Sequence, residues 1–130
     1  MSDPSGNAAS PVPPAEAEAI RAALAADRVG TLQQISALSR EFEGIVEANA
    51  LVAIDDEHDP EGSSTAFERA HIASLLSQAR EHLNDLDHAL ERWEAGDYGR
   101  CEQCGEPIPT ERLEVRPAAK TCVRCASVAR

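Results

Sequence analysis

The clearest shortage in this 130-residue sequence is of aromatic side chains, which make up 3% of the chain: two Phe, one Trp and one Tyr. So few large rings leave little material for a layered globular core. The apolar share is mostly Ala, Leu, Ile and Val, and 27% of the residues are charged. This composition favours long helices that pack along a narrow apolar seam.

Long apolar runs are also missing. The best candidate, residues 45–54, is too short to cross a bilayer and is interrupted by Glu47 and Asn49. Residues 1–14 lack the basic region and the apolar region of a signal peptide. We therefore expect a cytoplasmic protein without a membrane partner.

Basic residues are scarce in the first 100 positions, which hold 19 acidic residues and seven arginines, a net charge of −12. Residues 101–130 carry a net charge of +1. Because nucleic-acid affinity comes from neutralising phosphates with Lys and Arg, so acidic a chain is poorly suited to direct binding of DNA. A basic protein surface is the expected partner.

Two segments carry apolar residues at alternating steps of three and four, the spacing of a coiled-coil seam. Laid side by side as an antiparallel hairpin, the two seams pair Phe42 with Leu76 and place the turn at residue 59. The seam residues are Ile35, Leu38, Phe42, Ile45, Asn49 and Val52, then Ile72, Leu76, Ala79, Leu83, Leu86, Leu90 and Trp93.

The pattern along the chain predicts three parts. Residues 1–12, rich in Ser, Pro, Gly and Ala, are expected to form a disordered leader. Residues 13–95 are expected to form a coiled-coil helical hairpin with an acidic tip near 55–62. Residues 96–130 are expected to form a small four-Cys zinc-finger module with a short C-terminal helix, which makes the fold predominantly α-helical.

Cysteine occurs only four times, as two Cys-x-x-Cys pairs in the last 30 residues. Four thiolates with this spacing can surround one Zn²⁺ tetrahedrally. Redox motifs usually stand at a helix start in a βαβ unit, and disulfides are rare in the cytoplasm, so structural zinc is the favoured interpretation. The expected metal ligands are Cys101, Cys104, Cys122 and Cys125.

Other reactive groups form no recognisable site. No nucleophile stands beside a base, and no phosphate-binding loop is present, so the sequence does not predict an enzyme. The histidines lack the spacing of metal ligands and are expected to be solvated. They are His58, His71, His82 and His88.

Five carboxylates fall within seven residues at the expected hairpin turn. Carboxylates that close repel one another, and those at the C-terminal end of a helix also meet the negative end of its dipole. Retaining them there makes sense if a cationic or metal-containing partner meets the tip. These tip residues are Asp55, Asp56, Glu57, Asp59 and Glu61.

A calcium loop over residues 57–68 is an alternative explanation for these acids. Several of them fall where such a loop places its ligands. Glu57 stands where Asp is usual, however, and Pro60 interrupts the loop. Thr65 and Glu68 are also explained by a capping box that starts the second helix.

Two further functions fit parts of the sequence. A zinc-stabilised adaptor would bind another protein through its acidic face, although charge runs are usually solvated surfaces. A DNA-binding finger would use the basic residues of the module, but four acids offset them and no recognition helix is evident. Those basic residues are Arg112, Arg116, Lys120, Arg124 and Arg130.

The segment GDYGRCEQCGEPIPTERLEVRPAAKTCVRCA, residues 96–126, resembles the zinc-finger segment of the DksA/TraR family of bacterial transcription factors. With the helical hairpin before it, the resemblance extends over roughly residues 14–130. It implies a non-enzymatic regulator that binds RNA polymerase rather than promoter DNA. In the family, the hairpin enters the secondary channel and the zinc end docks on the channel rim.

The resemblance also bears on the tip. The family motif is Asp-x-x-Asp-x-Ala, whereas here Asp56 and Asp59 are followed by Pro60 and Glu61. Asp59 is therefore the first candidate for the functional acid, with Asp56 and Glu61 after it. Some family members respond to the alarmone ppGpp, which makes ppGpp a candidate co-regulator. A monomer is expected.

Overall fold

Two long helices dominate the computed structural model, which describes residues 11–55 and 60–128. Two short helices follow, and no strand occurs in the described residues. The predicted helical fold with a long helix pair is confirmed. The helices are α1 (Pro14–Asp55), α2 (Pro60–Ala95), α3 (Thr110–Val115) and α4 (Val123–Val128).

The described residues divide into two compact units. The paired-helix unit contains residues 30–83, and the cysteine unit contains the residues up to 29 together with those from 84 onward. Helices α1 and α2 contribute a segment to each unit, while α3 and α4 belong to the cysteine unit. The cysteine segment, residues 96–128, thus shares its unit with one end of each long helix.

Two ion pairs fix the relative direction of α1 and α2 in the cysteine unit. Arg21 Nη2 lies 3.3 Å from Glu94 Oε2, and Arg28 Nε lies 2.5 Å from Asp87 Oδ1. From the first pair to the second, the position moves seven residues forward on α1 and seven backward on α2. The two segments are therefore antiparallel, as the seams predict.

The paired-helix unit follows the predicted register. Phe42 of α1 and Leu76 of α2 line the same groove. The α2 seam residues Ile72, Leu76 and Ala79 are buried, and the α1 seam residues from Ile35 to Ile45 are half-buried. The side chains of Asn49 and Val52 lie outside the described part of the chain.

The start of α2 differs from the predicted one. Thr65 and Glu68, the proposed capping box, lie inside the helix, which begins at Pro60. Proline is favoured at the first helical position because its φ angle already suits a helix and its missing N–H needs no partner there. The proline therefore outweighs the capping sequence.

The end of α2 leads directly into the cysteine segment. The Gly96 N–H donates to the Trp93 carbonyl at 3.1 Å, and the Asp97 N–H donates to the Arg92 carbonyl at 2.8 Å. This pair of bonds is the Schellman motif, which satisfies two carbonyls at the helix terminus. The helix therefore ends at Ala95, and five residues separate it from Cys101, the first cysteine of the sequence.

Val12 departs from the expectation of a disordered leader. It is 5% exposed and belongs to the core of the cysteine unit. A β-carbon on Gly99 would come within 3.0 Å of both Pro11 Cγ and Val12 Cγ2, so only glycine allows this approach. Residues 1–10, the rest of the predicted leader, lie outside the described residues.

The core of the cysteine unit joins the helix ends to the cysteine segment. Leu24 of α1, Leu86 of α2 and Leu113 of α3 are fully buried. The rings of Trp93 and Tyr98 pack with their centroids 4.7 Å apart. None of the helices in the described ranges combines the length and apolar character that crossing a membrane requires. The buried cluster is Val12, Ile20, Leu24, Leu86, Ala89, Tyr98, Cys101, Ile108 and Leu113.

Candidate metal centre

The four predicted ligand cysteines converge on one point. Their Sγ atoms all lie within 4.8 Å of one another, and the Cys104 and Cys122 sulfurs are 4.0 Å apart. A tetrahedron with Zn–S bonds of about 2.3 Å has sulfurs about 3.8 Å apart, so small movements would close the cluster around zinc. In the described residues this is the only grouping of three or more His, Cys, Asp or Glu side chains with such geometry.

A tight turn presents the first cysteine pair. The Gly105 N–H donates to the Cys101 carbonyl at 2.9 Å, and Gly105 adopts a φ of +79°, which side chains rarely allow. The Gln103 N–H points at Cys101 Sγ at 3.4 Å. The Cys101 N–H donates to the Glu106 carbonyl at 2.8 Å. The turn therefore directs both thiols and one backbone donor toward the metal position.

A helical turn presents the second pair. Cys122 immediately precedes α4, Cys125 lies within it, and the Ala126 N–H donates to the Cys122 carbonyl at 2.9 Å. Residues three apart on a helix lie on the same face. The two thiols of this pair consequently point in one direction.

The environment of the thiols favours a thiolate at two positions, Cys101 and Cys122, and the backbone N–H of Cys125 is the main cause that lowers the pKa of Cys122. Burial raises the pKa of Cys101, but the backbone N–H groups of Cys104, Cys122 and Gln103 lower it to about 6. The pKa of Cys125 is raised to about 12, mainly by its hydrogen bond with Cys122. Without a cation, Cys125 therefore resists losing its proton. A bound divalent cation would reverse this, because thiolates that bind zinc are deprotonated outright.

Backbone acceptors hold the loop between the two pairs in place. The Glu102 N–H donates to the Lys120 carbonyl at 2.9 Å, which ties the first pair to a residue two positions before the second. Arg112 Nε donates to the Thr121 carbonyl at 3.0 Å. The Tyr98 hydroxyl donates to the Pro117 carbonyl at 2.7 Å. These bonds bring two cysteine pairs together that are distant in sequence.

Charged side chains connect the cysteine segment to α2. Glu102 contacts both His88 Nε2 and, at 3.5 Å, Arg92 Nε. Lys120 Nζ lies 3.2 Å from Asp85 Oδ1. His88 stays partly exposed and lies outside the cysteine cluster, as expected, but its ring also bonds Glu102, a residue between the first two cysteines. Sequence spacing alone does not reveal this contact.

The tip residues are only partly described. Asp55 is the last residue of α1, and Glu61 lies in the first turn of α2. Asp56, Glu57 and Asp59 lie outside the described residues. The sequence-based assignment of this acidic cluster therefore stays a prediction.

The structure bears on two of the alternative functions. Residues 60–68 of the suggested calcium loop are helical, a conformation unlike the irregular loop that wraps a calcium ion. In the suggested DNA-binding finger, Arg112 and Lys120 are engaged in contacts within the chain. Helices α3 and α4 have six residues each, which gives little length for reading a groove.

Sequence reasoning missed one exposed aromatic residue, Phe67 on α2, whose surface is 77% exposed. The seam spacing places position 67 outside the buried face. The signal that could have identified it is the scarcity of aromatics, because a ring that the seam does not use is unusual in this chain.

Replacing Tyr98 with Phe should lower the free energy of unfolding by about 1 kcal/mol at neutral pH, because the bond to the Pro117 carbonyl is lost. Burial raises the pKa of Tyr98 from 10.0 to about 12. Between these values the unfolded chain ionises while the folded chain keeps its proton, so wild-type stability falls as pH rises through that window.

The Tyr98→Phe variant should lack this loss of stability at alkaline pH. Urea unfolding of both proteins at several pH values would measure the difference. Other groups titrate in the same range, but they are common to both proteins and cancel in the difference. An identical pH slope for the two proteins would contradict the role of the buried hydroxyl.

Comparison with known protein families identifies the cysteine segment. Residues 96–129 match the prokaryotic dksA/traR C4-type zinc finger. This match confirms the family resemblance predicted from the sequence. Because four clustered cysteines and a C4-type zinc-finger family coincide, zinc is the metal that the site is suited to bind.

Two curated relatives extend the similarity. Uncharacterized protein YteA of Bacillus subtilis is 40% identical over 72 residues, which cover 55% of this chain and 30% of that protein. RNA polymerase-binding transcription factor DksA of Caulobacter vibrioides is 41% identical over 61 residues, which cover 47% of this chain and 43% of that protein. The chain thus spans less than half the length of these relatives.

A solved structure matches more of the chain. Transcription factor DksA2 from Pseudomonas aeruginosa superposes with a TM-score of 0.71 at 27% identity. The match covers 93% of this chain and 88% of that chain. The similarity therefore includes the long helix pair as well as the cysteine segment.

Proposed function

We propose that this chain is a non-enzymatic transcription regulator of the DksA/TraR type that binds RNA polymerase. The observation that carries the proposal is the structural match over 93% of the chain to a DksA-type transcription factor. The four-cysteine cluster and the match of residues 96–129 to the family's zinc finger support it independently. Relatives named RNA polymerase-binding transcription factors supply the class of partner.

The proposed role of zinc is structural. Cys101, Cys104, Cys122 and Cys125 would hold the ion and close the loop between the two pairs. Closing the loop would make the cysteine segment rigid. Glu102, which bonds Lys120 and contacts α2, would then restrain the helix pair as well. The metal end would serve as a stable base for docking outside the polymerase channel.

The proposed role of the helix pair is to enter the secondary channel. Two packed helices, each about 10 Å across, form a narrow element. Residues 30–83 contain ten acidic residues and three arginines, so this part of the chain suits a cationic surface. Occupying the channel would act sterically, and the tip would act electrostatically.

The tip residues would supply carboxylates near the polymerase active site. Asp55 ends α1, whose last turn contains no basic residue. A carboxylate there opposes the negative end of the helix dipole and is better accommodated when a cation approaches. Asp59 is the principal candidate, followed by Asp56 and Glu61. A response to ppGpp, a monomeric state and a cytoplasmic location complete the proposal.

Equilibrium binding to purified RNA polymerase core enzyme tests this function. The zinc-loaded protein should bind saturably, and raising the ionic strength from about 0.1 M to about 0.5 M should weaken binding, because charge complementarity is screened. Biolayer interferometry with immobilised polymerase would measure both effects. An unrelated protein of similar net charge is the control.

Failure to bind, or binding no tighter than that of the acidic control protein, would contradict the proposal. Binding of promoter DNA alone should be absent in a gel shift under the same conditions. A shift with DNA alone would instead favour a DNA-binding finger.

A further inference from the structure

The exposed ring of Phe67 separates it from the other aromatic residues of this chain. Phe42 is half-buried between α1 and α2, and Trp93 packs against Tyr98 in the cysteine unit. Phe67 instead exposes 77% of its surface from α2. Its ring therefore adds little to the stability of the fold, while it offers a large apolar contact surface to another molecule.

The surroundings of the ring form a shallow groove of about 430 Å³. The lining residues lie on one stretch of α2 and combine the ring with hydroxyl, carboxylate and imidazole groups. An exposed aromatic ring with polar neighbours is a combination that protein interfaces use. The lining is Ser64, Thr65, Phe67, Glu68 and His71.

Charge indicates which kind of surface would cover this groove. The paired-helix unit, residues 30–83, has a net charge of −7 from ten acids and three arginines. Nucleic acids and lipid headgroup surfaces are usually anionic and would be repelled. A cationic protein surface is attracted, and its Lys or Arg side chains can also pack on the face of a phenyl ring.

We propose that Phe67 is a binding anchor that inserts into an apolar pocket, bordered by basic side chains, on RNA polymerase. This inference rests on the proposed function and deepens it. The acidic surface would steer the encounter, while the ring would supply most of the affinity at this point of contact. Aromatic side chains near the centre of an interface commonly carry a large share of the binding energy.

Substituting Phe67→Ala tests the proposal by binding to polymerase core enzyme. We expect the dissociation constant to rise at least roughly ten-fold, because truncating an anchoring aromatic removes most of its buried contact. The melting temperature should stay unchanged, because the ring is exposed in the free protein. Phe67→Leu, which keeps an apolar side chain, should show a smaller loss.

Gln78→Ala is the matched control, since Gln78 is also exposed on α2 and lies away from the groove. It should bind like the wild type. Equal affinity of Phe67→Ala and wild type would overturn the anchor while leaving the proposed function intact. Absence of wild-type binding would overturn both.

Sedimentation of the free protein distinguishes a second possible occupant of the groove. Under the proposal, both wild type and Phe67→Ala should sediment as monomers. A wild-type dimer that Phe67→Ala converts to a monomer would show that a second copy of this chain covers the ring, and would overturn the assignment to polymerase.

Discussion

Replacing Cys122 with Ser should remove stoichiometric zinc and unfold the cysteine unit. The Cys122 sulfur lies 4.0 Å from that of Cys104, and all four sulfurs lie within 4.8 Å of one another. With three thiolates left, the tetrahedral site is incomplete. Structural zinc in small fingers contributes about 10 to 16 kcal/mol, which exceeds the typical stability of a small domain.

The loss of folded structure in Cys122→Ser should extend into the long helices α1 and α2. Leu24 and Leu86 are fully buried in the same cluster as Cys101 and Leu113, so loosening the cysteine segment exposes apolar surface on α1 and α2. Circular dichroism should therefore report a lower melting temperature and some loss of helix. Elemental analysis should report one zinc per chain for the wild type and much less for the variant.

Gln103→Ala is the matched control for this experiment. Gln103 lies between Cys101 and Cys104, and it is its backbone N–H, which alanine keeps, that points at the Cys101 sulfur. Zinc content and melting temperature should stay near those of the wild type. Less than half a zinc per chain in the wild type, or full zinc in Cys122→Ser, would contradict a four-thiolate structural site.

The sequence predicted the features that have a local repeat or a strict spacing. The alternating steps from Ile35 and from Ile72 gave the antiparallel register, because only one face of each helix is apolar enough to pack. The two Cys-x-x-Cys pairs predicted the four-cysteine cluster, because the two thiols of each pair lie on one turn and face the same side.

Contacts between distant positions were not predictable in this way. Val12 packs against Gly99, although no sequence pattern near either residue predicts the contact. His88 contacts Glu102 through the approach of α2 to the cysteine segment. Pro60 and the Thr65–Glu68 pair both signal a helix start, and only the folded chain shows that the proline prevails.

The sequence marks Phe67 as a ring outside the seam, but only the structure shows that it is exposed. Its position outside the seam gives it no role in the helix pair, and a sequence pattern cannot tell a solvated ring from one that packs on another element. The 77% exposure of Phe67 in the folded chain makes that distinction.

Replacing Asp56, Asp59 and Glu61 together with Ala should abolish the effect of the protein on transcription. The proposed action of the tip depends on negative charge close to the polymerase active site, and alanine removes that charge without adding bulk. Binding to polymerase should weaken less than about ten-fold, because exposed ion pairs typically contribute about 0.4 kcal/mol each, which is about 1.2 kcal/mol for the three.

A control with the same change in net charge separates the tip from general electrostatics. Replacing Glu18, Glu41 and Glu81 with Ala removes three exposed acids elsewhere on α1 and α2. This control should keep the transcriptional effect. If it loses the effect as completely as the tip variant does, overall charge rather than the tip is responsible.

In vitro transcription by purified RNA polymerase, with wild-type protein and an excess of the tip variant in the same reaction, tests whether the tip acts on bound polymerase. Wild-type protein should change transcript yield in a saturable manner, and the tip variant, inactive alone, should restore the original yield by displacing it. No change with wild-type protein, or a tip variant that acts as wild type does, would contradict a regulator that acts through its acidic tip.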